Sequence, residues 1–581
     1  MLLSNPLSWS CNFRGVTVEI DPIIQPCQLG SLIAIDIETD EKDHFVGGAI
    51  YDGSKNIYYF TKPNDFIDHT RGKKIIGYNV KSDLNWLGQM GLTVSSKDIY
   101  SDPMIQAYVV NSNRPDQGLK AVAMEILGWK WPSYKDMVGI GRKKTTLDKQ
   151  EVEKVAEYCC MDCLATWRLD EFFTKNFNQS QRDLYMNVEL PVYRLLWDME
   201  CKGIRLDTSK LATLDLEFGK EVLLAETALR AYSITWNPNS PKQTLEILNQ
   251  LIPGTHFDST DKPTLLAYKI STPTPHPVID QLLAYKKVKK LHSTYVVAMK
   301  ERTALTDIIH TTFNQVAMQD DGSMKGIRTG RLSSNNPNLQ NIPASKKGET
   351  YGNRLRSMFV PRPGKTFVDV DYSQIEYRLL AHFSQDANLV KGFNSGMDVH
   401  DVTGKLLGCD RKVGKTLNFA SIYGAQSEKI SVTAGITVSQ AEQFLSAYWT
   451  KLPQVLTWKN SALMLAQSRG GVTTMSGRFI PLPDLKSRNR WKRMHAERAA
   501  INYIIQGSAA DIIKVAMIEL DKQGYKPLLQ VHDELIFEVD PSTADAEMKK
   551  IVHIMENVVK LSVPIVADGH IGMDWNEAKG D

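Results

Sequence analysis

From Ser31 to Ile37 polar and apolar positions alternate and then run apolar, and similar short stretches recur at Gly47 to Tyr51 and Ile57 to Thr61. Period-two alternation, or a brief apolar run between turn residues, predicts buried strands. Lys81 to Met90 changes to the helical period, and from about 110 to 175 the pattern is helical, closing near Phe177-Asn178-Gln179-Ser180. This predicts a first α/β domain. Helical periodicity dominates again from about 183 to 300. It is broken at Asn237-Pro238-Asn239-Ser240-Pro241, where prolines and small polar residues mark a turn and a helix start. Strand patterns return at His310 to Met318 and Thr366 to Val370, and Val399 to Thr450 is largely helical. Leu528 to Val539, with His532-Asp533-Glu534 at its centre, predicts a hairpin. From residue 300 onward the chain predicts one large α/β unit with a helical insertion.

At 581 residues there is room for three or four domain-sized units. Hydrophobic residues at 42% and charged residues at 23% place the chain among ordinary soluble globular proteins. The net charge of +3 does not by itself announce a nucleic-acid binder. Cations do cluster locally, in Lys286-Lys287-Val288-Lys289-Lys290 and at Arg488, Arg490, Lys492 and Arg493. Such clusters suit phosphate contact or a solvated helix face. The seven cysteines are unevenly spaced, which predicts reduced thiols in a cytosol-like compartment. Cys160 and Cys163 form a CxxC with no second pair at zinc spacing. Met1 to Arg14 lacks the basic start and apolar run of a signal peptide. No window is expected to reach membrane-spanning length.

Two sets of carboxylates carry the candidate chemistry. Asp36 and Glu38 end the first strand on one face. Asn79 and Asp83 are four apart, and Tyr158 and Asp162 are four apart on a helix, hence on one face. Taken singly, Asp36, Asp83 and Asp162 could be caps or surface charges. Together, four acidic groups and a tyrosine could hold two divalent ions, and hard oxygen ligands favour Mg²⁺ or Mn²⁺ over zinc. Such a pair suits phosphodiester hydrolysis, with Tyr158 orienting the attacking water. The three segments resemble, in order, the exonuclease motifs of DnaQ-like proofreading domains, with Ser82 where an aromatic is commoner. The resemblance implies a ribonuclease-H-like fold and 3′→5′ exonuclease activity.

In Arg411-Lys412-Val413-Gly414-Lys415-Thr416-Leu417-Asn418-Phe419-Ala420-Ser421-Ile422-Tyr423-Gly424, the residues Arg411, Lys415, Phe419 and Tyr423 recur every four positions. On a helix they form one slowly spiralling stripe, two cations and then two aromatics, which suits a triphosphate followed by sugar and base. Asp371 ends the strand from Thr366, and Asp533 lies in the hairpin. If folding brings these two together, they make a second site for two divalent ions. These segments, with Asp371-Tyr372-Ser373-Gln374-Ile375-Glu376 and Val531-His532-Asp533-Glu534, resemble motifs A, B and C of family A DNA polymerases. The resemblance covers essentially residues 30 to 581. It implies an α/β multidomain chain, a ribonuclease-H-like exonuclease domain followed by a right-hand polymerase of palm, fingers and thumb.

The implied boundaries are an N-terminal extension over 1–29, exonuclease over 30–182, and thumb with connecting helices over 183–309. The first part of the palm takes 310–395, the fingers 396–470 and the second part of the palm 471–581. Asp371, Asp533 and the main chain of Tyr372 are implied as metal ligands, with Asp36, Glu38, Asp83 and Asp162 in the other site. Arg411 and Lys415 are implied to bind the incoming triphosphate with His400 nearby, Phe419 to lie by the sugar, Tyr423 to stack at the insertion site, and Gln374 to be a further nucleotide-binding residue. Glu376 is implied to block a ribose 2′-OH, which argues against a phage-type RNA polymerase. Arg331, Asn338, Gln340, Asn341, Arg498, Asn502, Gln506 and His532 are implied as primer-template contacts. The expected ions are Mg²⁺, two per site, with Mn²⁺ as substitute.

The expected partners are primer-template DNA, dNTPs and other replication proteins, with no membrane. A cytoplasmic monomer is expected. The short His400-to-Arg411 connection resembles phage members and points to a viral source. No long insertion interrupts 240 to 300, so thioredoxin dependence is not expected, and no 5′ nuclease domain fits ahead of residue 30. Ala420-Ser421 and Tyr503-Ile504 depart from the family pattern. Other readings are a nuclease whose second half only holds DNA, a non-enzymatic DNA-binding module, and an RNA polymerase.

Overall fold

The computed structural model describes residues 12–13, 15–141, 144–319, 323–343, 350–424 and 426–580. The N-terminal unit is built on a seven-stranded mixed sheet. Its strands are β1 (Asn12–Phe13), β2 (Val16–Ile20), β3 (Leu32–Thr39), β4 (Phe45–Tyr51), β5 (Asn56–Phe60), β6 (Lys74–Ile76) and β7 (Ile99–Ser101). Their spatial order is β1-β2-β5-β4-β3-β6-β7. Because β2 pairs in parallel with β5, residues expected as a free extension form one edge of the sheet. The boundary expected at residue 30 therefore cuts off two strands.

Helix α1 (Lys81–Gln89) follows β6, and the 25-residue helix α2 (Val152–Asn176) lies across β3 and β4. Between them the expected continuous helical pattern is interrupted, since Gly128 takes a left-handed φ of 67° and ends the helix Leu119–Leu127. Small side chains let α2 approach the sheet closely. Cys159, Cys160, Cys163 and Leu164 are buried among Ala34, Ala49 and Tyr51, and the Cys163 thiol donates to the Ala34 carbonyl at 3.3 Å. The CxxC is thus core packing.

The expected break at 182/183 falls inside a helical rod. Gln179–Leu184 runs through one π turn, Tyr185–Glu189, into α3 (Leu190–Lys202). Helices α4 (Thr208–Arg230) and α5 (Val278–Leu291) then pack together. The strand expected over His310 to Met318 divides at Gln315 into Thr312–Asn314 and Val316–Met318, which join different two-stranded sheets. The division has a polar cause: Gln315 is buried and donates its amide to Glu189.

The second large sheet is antiparallel. Its strands are β8 (Thr366–Tyr372), β9 (Leu529–Val531), β10 (Glu534–Val539) and β11 (Ala567–Gly572), in the order β9-β10-β8-β11. Helices α6 (Val399–Leu407) and α7 (Arg411–Tyr423) precede α8 (Arg490–Lys522). Contrary to expectation, α8 is long and apolar enough to cross a membrane, by length and composition. However, 67% of that window is buried in the fold, with Asp511 and Lys514 inside it.

Those two charges belong to a buried ionic set. Glu189 accepts from Lys514 Nζ at 2.8 Å and from Arg478, which also reaches Asp511 at 3.1 Å. Burial alone would raise Glu189, but Arg478 and Lys514 pull it down to about 2. A depressed carboxyl contributes stability above its ordinary range that is lost as pH falls through its folded value. Glu189→Gln is expected to cost about 3 kcal/mol at neutral pH by leaving buried cations underpaired. Melting curves should show the difference from wild type shrinking between about pH 4.5 and 2. A constant difference across that range contradicts the assignment.

Candidate active sites

The first acidic cluster sits where β3, α1 and α2 meet. Extended geometry puts Asp36 and Glu38 on one face of β3, and helical spacing aims Tyr158 and Asp162 at them. Asp83 Oδ1 accepts from the Ile37 N–H at 3.1 Å, which fixes α1 against the same strand. Burial, then repulsion from Asp162, pushes Asp36 up to about 7. Glu38 is raised by burial and by Asp36, Asp162 and Asp83. The four expected carboxylates are therefore close enough to repel one another. Burial raises Tyr158, so it stays a phenol.

Lys120 was not anticipated. Its ammonium bonds both Asp162 oxygens at 2.7 Å and lies 4.2 Å from the Tyr158 ring centroid. Trp131 also donates to Asp162. Asp102 was missed as well. It is fully buried and takes N–H bonds from Asn79, Val80 and Met104 and the Tyr193 hydroxyl at 2.6 Å, holding the entry to α1. An Asp before Pro103 is a legible helix cap, but its reach back to Asn79 is not.

The second cluster is set by strand register. Asp371 on β8 faces Glu534 on β10, and the Tyr372 N–H donates to the Asp533 carbonyl at 3.1 Å. Asp371 and Asp533 are thereby brought together beside a cavity of about 400 Å³ that both line with Asn341, Arg356 and Lys579. Burial, aided by Glu376 and Asp371 and opposed by Arg331, pushes Asp533 up to about 7. Asp371 is also raised by burial. Lys579, near the chain's end, donates to Asp371 at 3.0 Å and to Glu534 at 2.7 Å. Trp575 Nε1 holds the other Glu534 oxygen at 2.8 Å. Nothing in a sequence pattern links residue 579 to residue 371; the β11 return brings them together.

The stripe on α7 forms as expected for Arg411, Lys415 and Phe419, all exposed. The side chain of Tyr423 lies outside the described residues. Arg411 bonds Asp398 at 2.9 Å, and Gln374 donates to the same oxygen at 2.8 Å. Asp398, not anticipated, also caps α6. His400 is buried, bonded through Nδ1 to Asn418 at 2.9 Å, and burial lowers it. Its ring lies 6.1 Å from that of Phe419. Glu376 is held by Arg331 at 2.5 Å.

The expected DNA contacts divide. Arg498 packs against Gly424 at the end of α7, and Asn502 and Gln506 continue its face of α8. His532 and Asn341 are exposed. Asn338 spends its side-chain oxygen capping the turn at Asn341. Gln340 requires correction: it is buried and its amide is spent on Gln530, so it braces β9 rather than facing outward.

Both donor sets fit divalent cations. Every expected ligand is a carboxylate or carbonyl oxygen, the type hard cations take. Asp36 Oδ2 is buried with no hydrogen-bond partner among the described residues. Cys159 Sγ lies within 4.8 Å of ligand atoms of Asp36 and Glu38. Burial raises this thiol, and it donates to the Asp36 carbonyl, so it is no thiolate ligand.

The sequence profile of DNA polymerase family A matches residues 208–577. The chain is 34% identical to DNA polymerase I of Synechocystis over 86% of its length and 53% of the relative's. It is 32% identical to DNA polymerase I of Borreliella burgdorferi over 97% of its length and 64% of the relative's. It thus spans about half to two thirds of these relatives. The POL domain of Pol1 from M. smegmatis, solved with DNA primer-template and dNTP, superposes with a TM-score of 0.79 at 28% identity. That match covers 95% of this chain and 97% of that one.

Cations bind ionised carboxylates, so loading either site must expel protons that Asp36 and Asp533 retain near pH 7. Titration of Mg²⁺ or Mn²⁺ into the metal-free protein at about pH 6.5 should release protons, with affinity rising as pH increases through about 7. Calorimetry in buffers of different ionisation enthalpy measures this; a heat independent of buffer means the carboxyls are already ionised.

Proposed function

The chain belongs to DNA polymerase family A, and on that premise we propose that it extends a DNA primer with deoxynucleotides as a template directs. The observation that carries this reading is the meeting of Asp371, on β8, with Asp533, in the turn between β9 and β10, beside an open cavity, with the cationic stripe of α7 in the same unit. Asp371, Asp533 and the Tyr372 carbonyl are the groups to hold divalent ions. When bound, those ions lower the pKa of the primer 3′-hydroxyl and stabilise charge on the departing pyrophosphate. Arg411 and Lys415 bind the triphosphate oxygens. Arg411 is pre-aimed by Asp398, itself fixed by Gln374. Phe419 packs by the sugar, backed by the His400 ring. Glu376, fixed by Arg331, fills the space a ribose 2′-hydroxyl needs.

A second activity, 3′→5′ exonucleolytic proofreading, is favoured by the four converging carboxylates of the N-terminal unit and the unpartnered oxygen of Asp36. A mismatch lowers the cost of unpairing, on the order of a kcal/mol per stacked step, so a frayed end partitions toward Asp36. The matched relatives are bacterial and give no support to the viral source expected from the short His400-to-Arg411 connection.

Primer extension with Mg²⁺ and dNTPs tests the first activity. Asp371→Ala should lower extension by roughly a thousandfold while degradation of a mismatched 3′ end continues. Asp36→Ala combined with Glu38→Ala should do the reverse. Normal extension by Asp371→Ala rules out the palm assignment, and degradation untouched by the double variant rules out the exonuclease. Glu376→Ala should narrow the preference for dNTP over rNTP by roughly a hundredfold in kcat/KM. An unchanged ratio takes the sugar check away from Glu376.

A further inference from the structure

The cationic run ahead of α8 has no part in the chemistry above. Asn489 caps the helix, accepting from the N–H groups of Trp491 at 2.9 Å and Lys492 at 3.2 Å. Arg493 donates back to the Ser487 carbonyl at 3.0 Å. The turn is therefore held from both sides. It presents Trp491 at 79% exposure, an unusual place for the largest apolar side chain. Arg488, Arg490 and Lys492 are exposed around it and make no ion pair among the described residues. A fixed, bare indole ringed by unpaired cations has the makeup of a stacking platform for single-stranded nucleic acid: bases stack on the ring and phosphates meet the cations.

The helix says which strand this is. Trp491, His495, Arg498, Asn502 and Gln506 are spaced four, three, four and four apart, so they share one face of α8. At 1.5 Å per residue, Trp491 stands about 10 Å beyond Arg498 and about 22 Å beyond Gln506. One turn past Gln506, in the middle of that helix, Ala510 and Ile513 line a small pocket together with His532 and Asp533. Arg498 lies against Gly424, where the nucleotide-binding helix α7 ends. The paired primer end belongs at the Gln506 end, so the face beyond Arg498 leads away from the duplex. We propose that Trp491, with Arg488, Arg490 and Lys492, binds the unpaired template strand before it enters the insertion site. The proposal rests on the polymerase reading of the previous section.

Fluorescence anisotropy tests it with primer-templates that share one duplex and carry either no template overhang or about eight unpaired 5′ nucleotides. In the wild type the overhang should tighten binding. In Trp491→Ala the gain should shrink by roughly tenfold, since base stacking is sequence-tolerant and sizeable. Trp491→Phe, which keeps a ring, should recover most of it. Arg490→Ala with Lys492→Ala should flatten the salt dependence of the overhang gain. An equal gain in wild type and Trp491→Ala overturns the proposal and leaves the polymerase reading intact. Wild-type protein that fails to extend the primer on the overhang substrate, with dNTPs and Mg²⁺ present, removes that reading and this inference with it.

Discussion

Like charges gathered out of water are the constraint around which this molecule is arranged. Four carboxylates crowd the end of β3, and Asp369, Asp371, Asp533 and Glu534 crowd the end of β8. Such groups either gain counter-charges or hold protons. Both answers are present. Lys120 clamps Asp162 in one cluster, and Lys579 clamps Asp371 and Glu534 in the other. Asp36 and Asp533, which no lysine bonds directly among the described residues, rise to about 7. A site that keeps protons and ammonium groups on its carboxylates is a site prepared to exchange them for a stronger cation.

The scaffold explains why the clusters persist. Each is anchored on a strand in the interior of a sheet, where register leaves no freedom to relieve the repulsion by moving apart. Asp371 is fixed by pairing on both sides, to Glu534 and to Asp568. Asp36 is fixed by pairing with Ala49, and its neighbour Ile37 is bonded to Asp83. A helix then closes the first site, α2 bringing Tyr158 and Asp162, while α7 holds Arg411 beside Asp398.

This division between strand and long-range return also sets how far the sequence could be read. The strand carrying Asp36, the helix with Tyr158 and Asp162, the hairpin at Asp533 and the stripe on α7 all declare themselves in local periodicity, and the structure forms each. What failed was non-local. Val16–Ile20 reads as an isolated apolar run, and only its pairing with β5 makes it part of the sheet. Lys120 and Lys579 reach their carboxylates across 42 and 208 positions. Gln340 lies in a recognisable motif, yet the turn that follows Asn338 directs it inward to Gln530. The apolar run of α8 has membrane-spanning length, and its place in the core shows only in its burial around Asp511 and Lys514.

The buried set of Glu189, Arg478, Asp511 and Lys514 shows the same logic used for alignment. Apolar side chains could fill this space with equal or greater stability. Charged ones require defined partners, and these come from the π turn after the N-terminal unit, from the loop at Arg478 and from the middle of α8. Arg478 also lies 5.6 Å from the Tyr108 ring centroid, and Tyr108 donates to the Ile327 carbonyl at 2.7 Å. A Cβ on Gly330, whose φ is +80°, would lie 2.7 Å from the Arg478 guanidinium. Glycine there serves two needs, the left-handed backbone and the close passage of the arginine. The next residue is Arg331, which holds Glu376. The position of the N-terminal unit, the seat of α8 and the aim of Glu376 are therefore linked through one guanidinium, and a shift in any of them must be absorbed by the others.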